Sequence, residues 1–253
     1  MTLKNIKKTA RSGLNQNWGK TLVVFSIPIM VFIMIAAGEF LFRAYAGIPI
    51  IENSRYNVSE KSLIVILFGS VLWVMLIIPL KLSAKGYYYN LVSKEKVYIG
   101  SVFDAFSSPG GYISSLILPA KLNLRRLFFM IILFAPPVLL GLAAYCFFPN
   151  PWFEFSLGLS SVLILTGLWA FISINLSCFL APYLLISNQA CSAKEAIKKS
   201  KILMKGNKMK LIGLYFSMIG WMILCLPLVS AVFAIPEINT RKAVFAKAVI
   251  SRL

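Results

Sequence analysis

The stretch TLVVFSIPIMVFIMIAAGEFLF, residues 21–42, carries one charge, Glu39, and as a helix would be about 33 Å long. A bilayer's hydrocarbon core is about 30 Å thick, so this stretch is long enough to cross it. A signal-peptide core runs to only about 7–15 apolar residues. Here the apolar run is longer, and roughly twenty residues of basic helix precede it, so we read a retained anchor although Ala36-Ala37 imitates a cleavage site. Comparable runs follow at 62–82, 127–148, 159–182 and 209–226. The fourth sits inside 156–186, longer than one crossing, and so must tilt, break or project beyond the membrane.

Composition agrees with that pattern. Of 253 residues, 59% are hydrophobic and 13% charged, against about 45–50% and 25% in soluble domains. One water-soluble core cannot hide such a surplus. The chain is therefore expected to be all-α, a polytopic transmembrane helix bundle of five or six spans forming one membrane domain over 1–253.

Charge sets the orientation. There are 26 Lys and Arg against 8 Asp and Glu, which in a soluble protein would point to nucleic acid. Here the basic residues lie between apolar runs, so membrane orientation and anionic headgroups account for them and nucleic acid is not expected as a partner. Residues 1–20, 81–127 and 188–210 hold five, seven and seven basic residues, whereas 43–61 holds three and 149–155 none. The positive-inside rule makes the first three cytoplasmic, with the N-terminus inside a bacterial plasma membrane.

The C-terminal end has two readings. After Pro227 only 228–235 is strongly apolar, and Glu237, Asn239, Arg241, Lys242, Lys247 and Arg252 follow. Either an amphipathic tail lies on the outer surface, or a sixth helix, 228–250, returns with its charges turned into the bundle. Four basic residues in this tail favour the return.

Amphipathic helices are expected on the cytoplasmic side. In 3–18, Leu3, Ile6, Ala10 and Leu14 follow helical spacing among Lys4, Lys7, Lys8 and Arg11; in 192–205 the set is Ala193, Ala196, Ile197, Ser200, Leu203 and Met204. Val102, Phe103 and Phe106 suggest an interfacial turn before Pro109-Gly110-Gly111. Such elements bury one face at the headgroup boundary. Two of them resemble each other: Asn5-Ile6-Lys7-Lys8-Thr9 precedes Asn17-Trp18-Gly19-Lys20, and Ala196-Ile197-Lys198-Lys199-Ser200 precedes Gly206-Asn207-Lys208-Met209. Matching them takes a one-residue shift. They are either the trace of a parallel repeat or two independent ways of entering a membrane behind a basic helix.

Candidate functional positions are few. Every span contains or abuts proline: Pro28, Pro79, Pro136-Pro137, Pro182 and Pro227. Proline frees a carbonyl one turn back, which in lipid needs a partner, so these residues serve packing kinks or line a binding cavity. Asn175, with Ser173 and Ser177 on roughly the opposite face, forms a polar patch in the fourth span. Gly213, Ser217 and Gly220 form a small-residue packing face on the fifth.

Catalytic signatures are missing. Without histidine, a histidine-dependent triad or zinc site is excluded. No phosphate-binding loop, nucleophile elbow or calcium loop is present, and the acids are too sparse to pair. Cys146, Cys178 and Cys225 lie in apolar runs and Cys191 in a polar linker, without C-x-x-C spacing. No catalytic, cofactor-binding or metal residue is nominated, and an enzyme is not expected.

Ala181-Pro182-Tyr183, Ser192-Ala193-Lys194-Glu195-Ala196-Ile197, Leu203-Met204-Lys205-Gly206-Asn207-Lys208 and Ser217-Met218-Ile219-Gly220-Trp221 together resemble a family of bacterial integral membrane proteins known as domain of unknown function 975. The basic helix ending in Asn17-Trp18 is similar too. The resemblance implies a multi-span, non-enzymatic bundle. Met218 stands where the family tends to have phenylalanine, and Pro236-Glu237 where a Pro-Tyr pair is expected. The block Gly206, Asn207, Lys208, Gly220 and Trp221 reads physically as an elbow from interfacial helix to span, Gly206 ending the first helix in a left-handed conformation. The leading expectation is a non-catalytic accessory or scaffold module for transport or envelope processes, working through membrane lipids and a membrane protein partner. The alternative is a small-solute or lipid permease using the proline-broken helices.

Overall fold

A computed structural model describes residues 3–48, 60–93, 97–147, 152–187, 192–223, 225 and 228–251. Among them the chain is all helical, with no strand. The helices are α1 (Leu3–Asn15), α2 (Trp18–Tyr45), α3 (Glu60–Ser93), a 3₁₀ helix (Ile99–Phe106), α4 (Pro109–Phe147), α5 (Trp152–Ser177), α6 (Ala181–Ile186), α7 (Ala193–Leu203), α8 (Lys208–Phe216), α9 (Ile219–Ile223) and α10 (Leu228–Ile250). Four stretches are long and apolar enough to cross a membrane: α2, α3, α4, and α5 running on into α6. Only 11–28% of their most apolar windows is buried by protein, so the remaining surface suits lipid rather than water.

The fifth expected span, 209–226, is not one long helix. α8 and α9 are separated at Ser217-Met218, where the Met218 N–H donates to the Tyr215 carbonyl and Ser217 Oγ to the Leu214 carbonyl. Such three-residue bonds tighten the ladder, and serine back-bonding bends helices. Pro227 and Cys191 lie outside the described residues.

The chain forms two compact units, one of residues 1–116 with 213–253, the other of residues 117–212. In the first, α2 and α3 pack together as apolar rods. At one end of these rods sits a base made of α1, the start of α2, the end of α3, the 3₁₀ helix and α10. Thr21 and Val24 of α2, and Tyr87, Tyr88, Leu91 and Val92 of α3, are buried there. α3 thus continues well past the apolar run at 62–82, because its last three turns are covered by protein instead of lipid.

The apolar face of α1 is also spent inside the protein. Ile6, Ala10 and Leu14 are buried, and α1 packs on α10 and α3. The expected burial at the headgroup boundary is therefore replaced by helix–helix contact. The turn expected before Pro109 is the 3₁₀ helix, held by a bond from the Ala105 N–H to Ser83 Oγ, with Val102 buried and Phe103 exposed.

α10 is packed into this base, on α1, α2 and α3. Ile238, Thr240, Arg241, Ala243, Val244, Phe245, Ala246, Val249 and Ile250 are all buried, making the helix the core of the base. Two of its charges turn inward as one pair: Arg241 donates to Glu237 at 2.6 Å and 2.9 Å, both side chains being at most 3% exposed. The Arg241 guanidinium also lies 5.4 Å from the Trp221 ring centroid. At the opposite end of α2, Arg43 bridges Glu39 and Ser62, and Gly69 leaves room for the Glu39 carboxylate.

In the second unit α4 and α5 run antiparallel, as the pairs Tyr145–Phe153, Phe134–Phe171 and Arg126–Asn175 require. The long fourth run breaks: bonds from the Cys178, Phe179 and Ala181 N–H groups to carbonyls three residues back end α5, and Pro182 opens α6. α6 packs on α7, burying Ala193, Ala196 and Ser200. Ser192 caps α7 by accepting the Glu195 N–H.

Candidate functional site

Proline tests the cavity reading directly. Pro79 deletes the amide that would bond the Met75 carbonyl, and the Tyr112 hydroxyl donates to that carbonyl at 3.2 Å instead. Pro137 is buried and deletes the amide that would bond the Leu133 carbonyl. α5 crosses there at Gly167, so closely that a Cβ on it would lie 3.3 Å from the Leu133 oxygen. Pro136 beside it is exposed. At both tested positions the freed carbonyl is covered by a packed neighbour.

The polar patch is divided between neighbours. Asn175 Oδ1 accepts from Arg126 Nε at 2.8 Å, and its amide donates to the Phe171 carbonyl. The Ser177 carbonyl accepts from Ser200 Oγ of α7 at 2.8 Å. Ser173 faces α8, where the Lys208 ammonium donates to its hydroxyl at 2.9 Å. Two of the predicted sets therefore meet: Ser173 with Gly206 and Lys208 lines a cleft of about 260 Å³, together with Trp169, Ile172, Leu176, Met209 and Ile212. Asn175, Ser177, Pro136 and Pro137 are not among its lining residues.

Gly206 has φ +85°, the left-handed conformation in which a side chain would be strained. Asn207 ties the elbow on three sides. Its N–H donates to Met204, its side-chain amide donates to the Leu203 carbonyl, and its own carbonyl accepts from the Leu211 N–H. Asn17 makes the same three bonds, to Leu14, Gly13 and Thr21. The burial matches in the same register. Ile6, Ala10, Leu14, Thr21 and Val24 around Asn17 correspond to Ala196, Ser200, Met204, Leu211 and Leu214 around Asn207, and all ten are buried. The one-residue shift of the sequence match is thereby corrected. The basic Lys-Lys pairs are one residue out of step because they occupy exposed positions, where register is not constrained. Trp221 and Gly220, the rest of the elbow motif, lie on α9 in the other unit, where Trp221 stacks on Arg241.

This elbow-and-span arrangement accompanies a full-length family match: the family described as Protein of unknown function (DUF975) covers residues 1–253. The chain belongs to DUF975. No curated protein and no solved structure matches it.

In this DUF975 protein, sequence reasoning missed Arg125, Arg126, Lys201 and Tyr112. Arg125 donates to Cys178 Sγ at 2.8 Å, and Arg126 and Lys201 are near enough for their charges to act on the same thiol. With Lys208 these cations gather around residues 173–178, at the end of α5. The signal was present as Arg125-Arg126 directly before an apolar run, but counting it as topology hid its partners.

Proposed function

We propose that this DUF975 protein is a non-catalytic module of a bacterial plasma membrane, N-terminus cytoplasmic, serving as an accessory or scaffold for transport or envelope processes. The observation that carries it is the use of the polar groups. Asn175, Ser177 and Leu133 O are engaged by neighbouring helices, which supports structural roles for them. What remains outward is apolar span surface and cationic side chains, both suited to holding membrane partners. The permease reading asked the proline-freed carbonyls to line a solute path, and the covered carbonyls of Met75 and Leu133 count against it.

Native mass spectrometry of protein gently extracted from its own membrane tests the proposal. A stoichiometric membrane-protein partner is expected. A partner-free protein that moves a solute by itself in proteoliposomes would overturn the accessory role.

A further inference from the structure

The cleft between α5 and the α7–α8 elbow has two chemically different parts. Trp169, Ile172, Leu176, Met209 and Ile212 form apolar walls, and Trp169 and Met209 are exposed. At its polar end are Ser173 Oγ and the Lys208 ammonium, 2.9 Å apart. An ammonium has three donors, of which Ser173 takes one. Among the described residues Lys208 forms no ion pair with a carboxylate.

The surroundings fix the sign of the ligand. Residues 117–212 contain ten Lys and Arg but only Glu154 and Glu195 as acids, and Glu195 pairs with Lys199. Arg125, Arg126 and Lys201 lie around the same end of α5. A zwitterionic headgroup would bring its own cation into this field, whereas an anionic one would not.

We infer that this cleft is a binding site for an anionic phospholipid, its phosphate on Lys208 and Ser173 and an acyl chain along Trp169, Ile172 and Met209. The volume, about 260 Å³, suits a phosphate and glycerol; it is below the roughly 300–1,000 Å³ of pockets that enclose whole drug-sized ligands. The tails therefore run out along the exposed walls. The site deepens the proposed role by naming a lipid, and rests on its membrane placement but not on any protein partner.

The test is native mass spectrometry of the purified full-length protein in mild detergent, titrated separately with phosphatidylglycerol, phosphatidylcholine and inorganic phosphate. One phosphatidylglycerol should bind in preference to the other two. Lys208→Gln should weaken it at least about tenfold, the loss of one charge-assisted hydrogen bond, and Lys208→Arg should retain it. Lys198→Gln removes an exposed charge from α7 outside the cleft and should change nothing. Ile172→Trp fills the cleft at an exposed position and should weaken phosphatidylglycerol binding without any change of charge. Equal binding of phosphatidylcholine, inorganic phosphate binding as tightly as the lipid, or undiminished binding by both Lys208→Gln and Ile172→Trp would overturn the assignment. Partner capture is a separate readout, so loss of the lipid site and loss of the accessory role are distinguishable.

Discussion

At the scale of single residues, Tyr112 and Gly167 show two surroundings of a carbonyl freed by proline. A carbonyl left without a hydrogen bond in hydrocarbon costs several kcal/mol; the Met75 carbonyl accepts one from the Tyr112 hydroxyl, and α5 packs closely on the Leu133 carbonyl at Gly167. Tyr112→Phe removes the cap on Met75 and should lower stability by about 1 kcal/mol. Gly167→Ala must push α5 from Leu133 and should cost about 1–3 kcal/mol. Both are read as falls in thermal midpoint in one fixed lipid–detergent mixture. Gly158→Ala on the same helix, with nothing within 4 Å of the added methyl, should leave the midpoint unchanged or raise it. The Glu237–Arg241 pair makes a larger demand. Glu237→Ala strands a buried guanidinium, at a cost of about 3–5 kcal/mol, and a denaturant titration should show it. Replacing both with Leu and Met should recover most of that loss, because the penalty lies in the unpaired charge.

Among elements, the two asparagine elbows join a basic helix to an apolar one by the same bonds. Asn17→Ala and Asn207→Ala should each cost about 1 kcal/mol. Hydrogen exchange should quicken at α1 and the start of α2 for the first, and at α7 and α8 for the second, with no cross-effect. Exchange that quickens across the whole chain in both variants would instead mean the elbows are not local units. Hydropathy made the apolar rods legible, since windows such as 21–42 need no partner to be recognised. It could not reveal elements whose environment is other protein. α3 beyond Leu82 reads as polar because of Lys85 and Asn90, yet Tyr87, Leu91 and Val92 are buried by α1 and α10. Residues 237–250 left two readings open because an inward pair such as Glu237–Arg241 has the same hydropathy as an outward one. In the candidate site, Ser173 and Lys208 were each visible, but their meeting across 35 positions depended on the break at Pro182 and the turn at Gly206.

Across the whole molecule, the open question is the side of the C-terminus, and packing answers it without deciding how many crossings the last segment makes. α1 lies along α10, and Lys247 of α10 donates to the Val92 carbonyl at the end of α3. Whatever side holds α1 therefore holds the end of α10. In a background lacking the four native cysteines, Ser12→Cys and Ser251→Cys place one thiol each at exposed positions near the two ends. Both should react with a membrane-impermeant maleimide only after the cytoplasmic face is opened. If Ser251→Cys were labelled in intact cells while Ser12→Cys stayed protected, α10 could not rest on α1 in the membrane, and the base built around it would have to be abandoned.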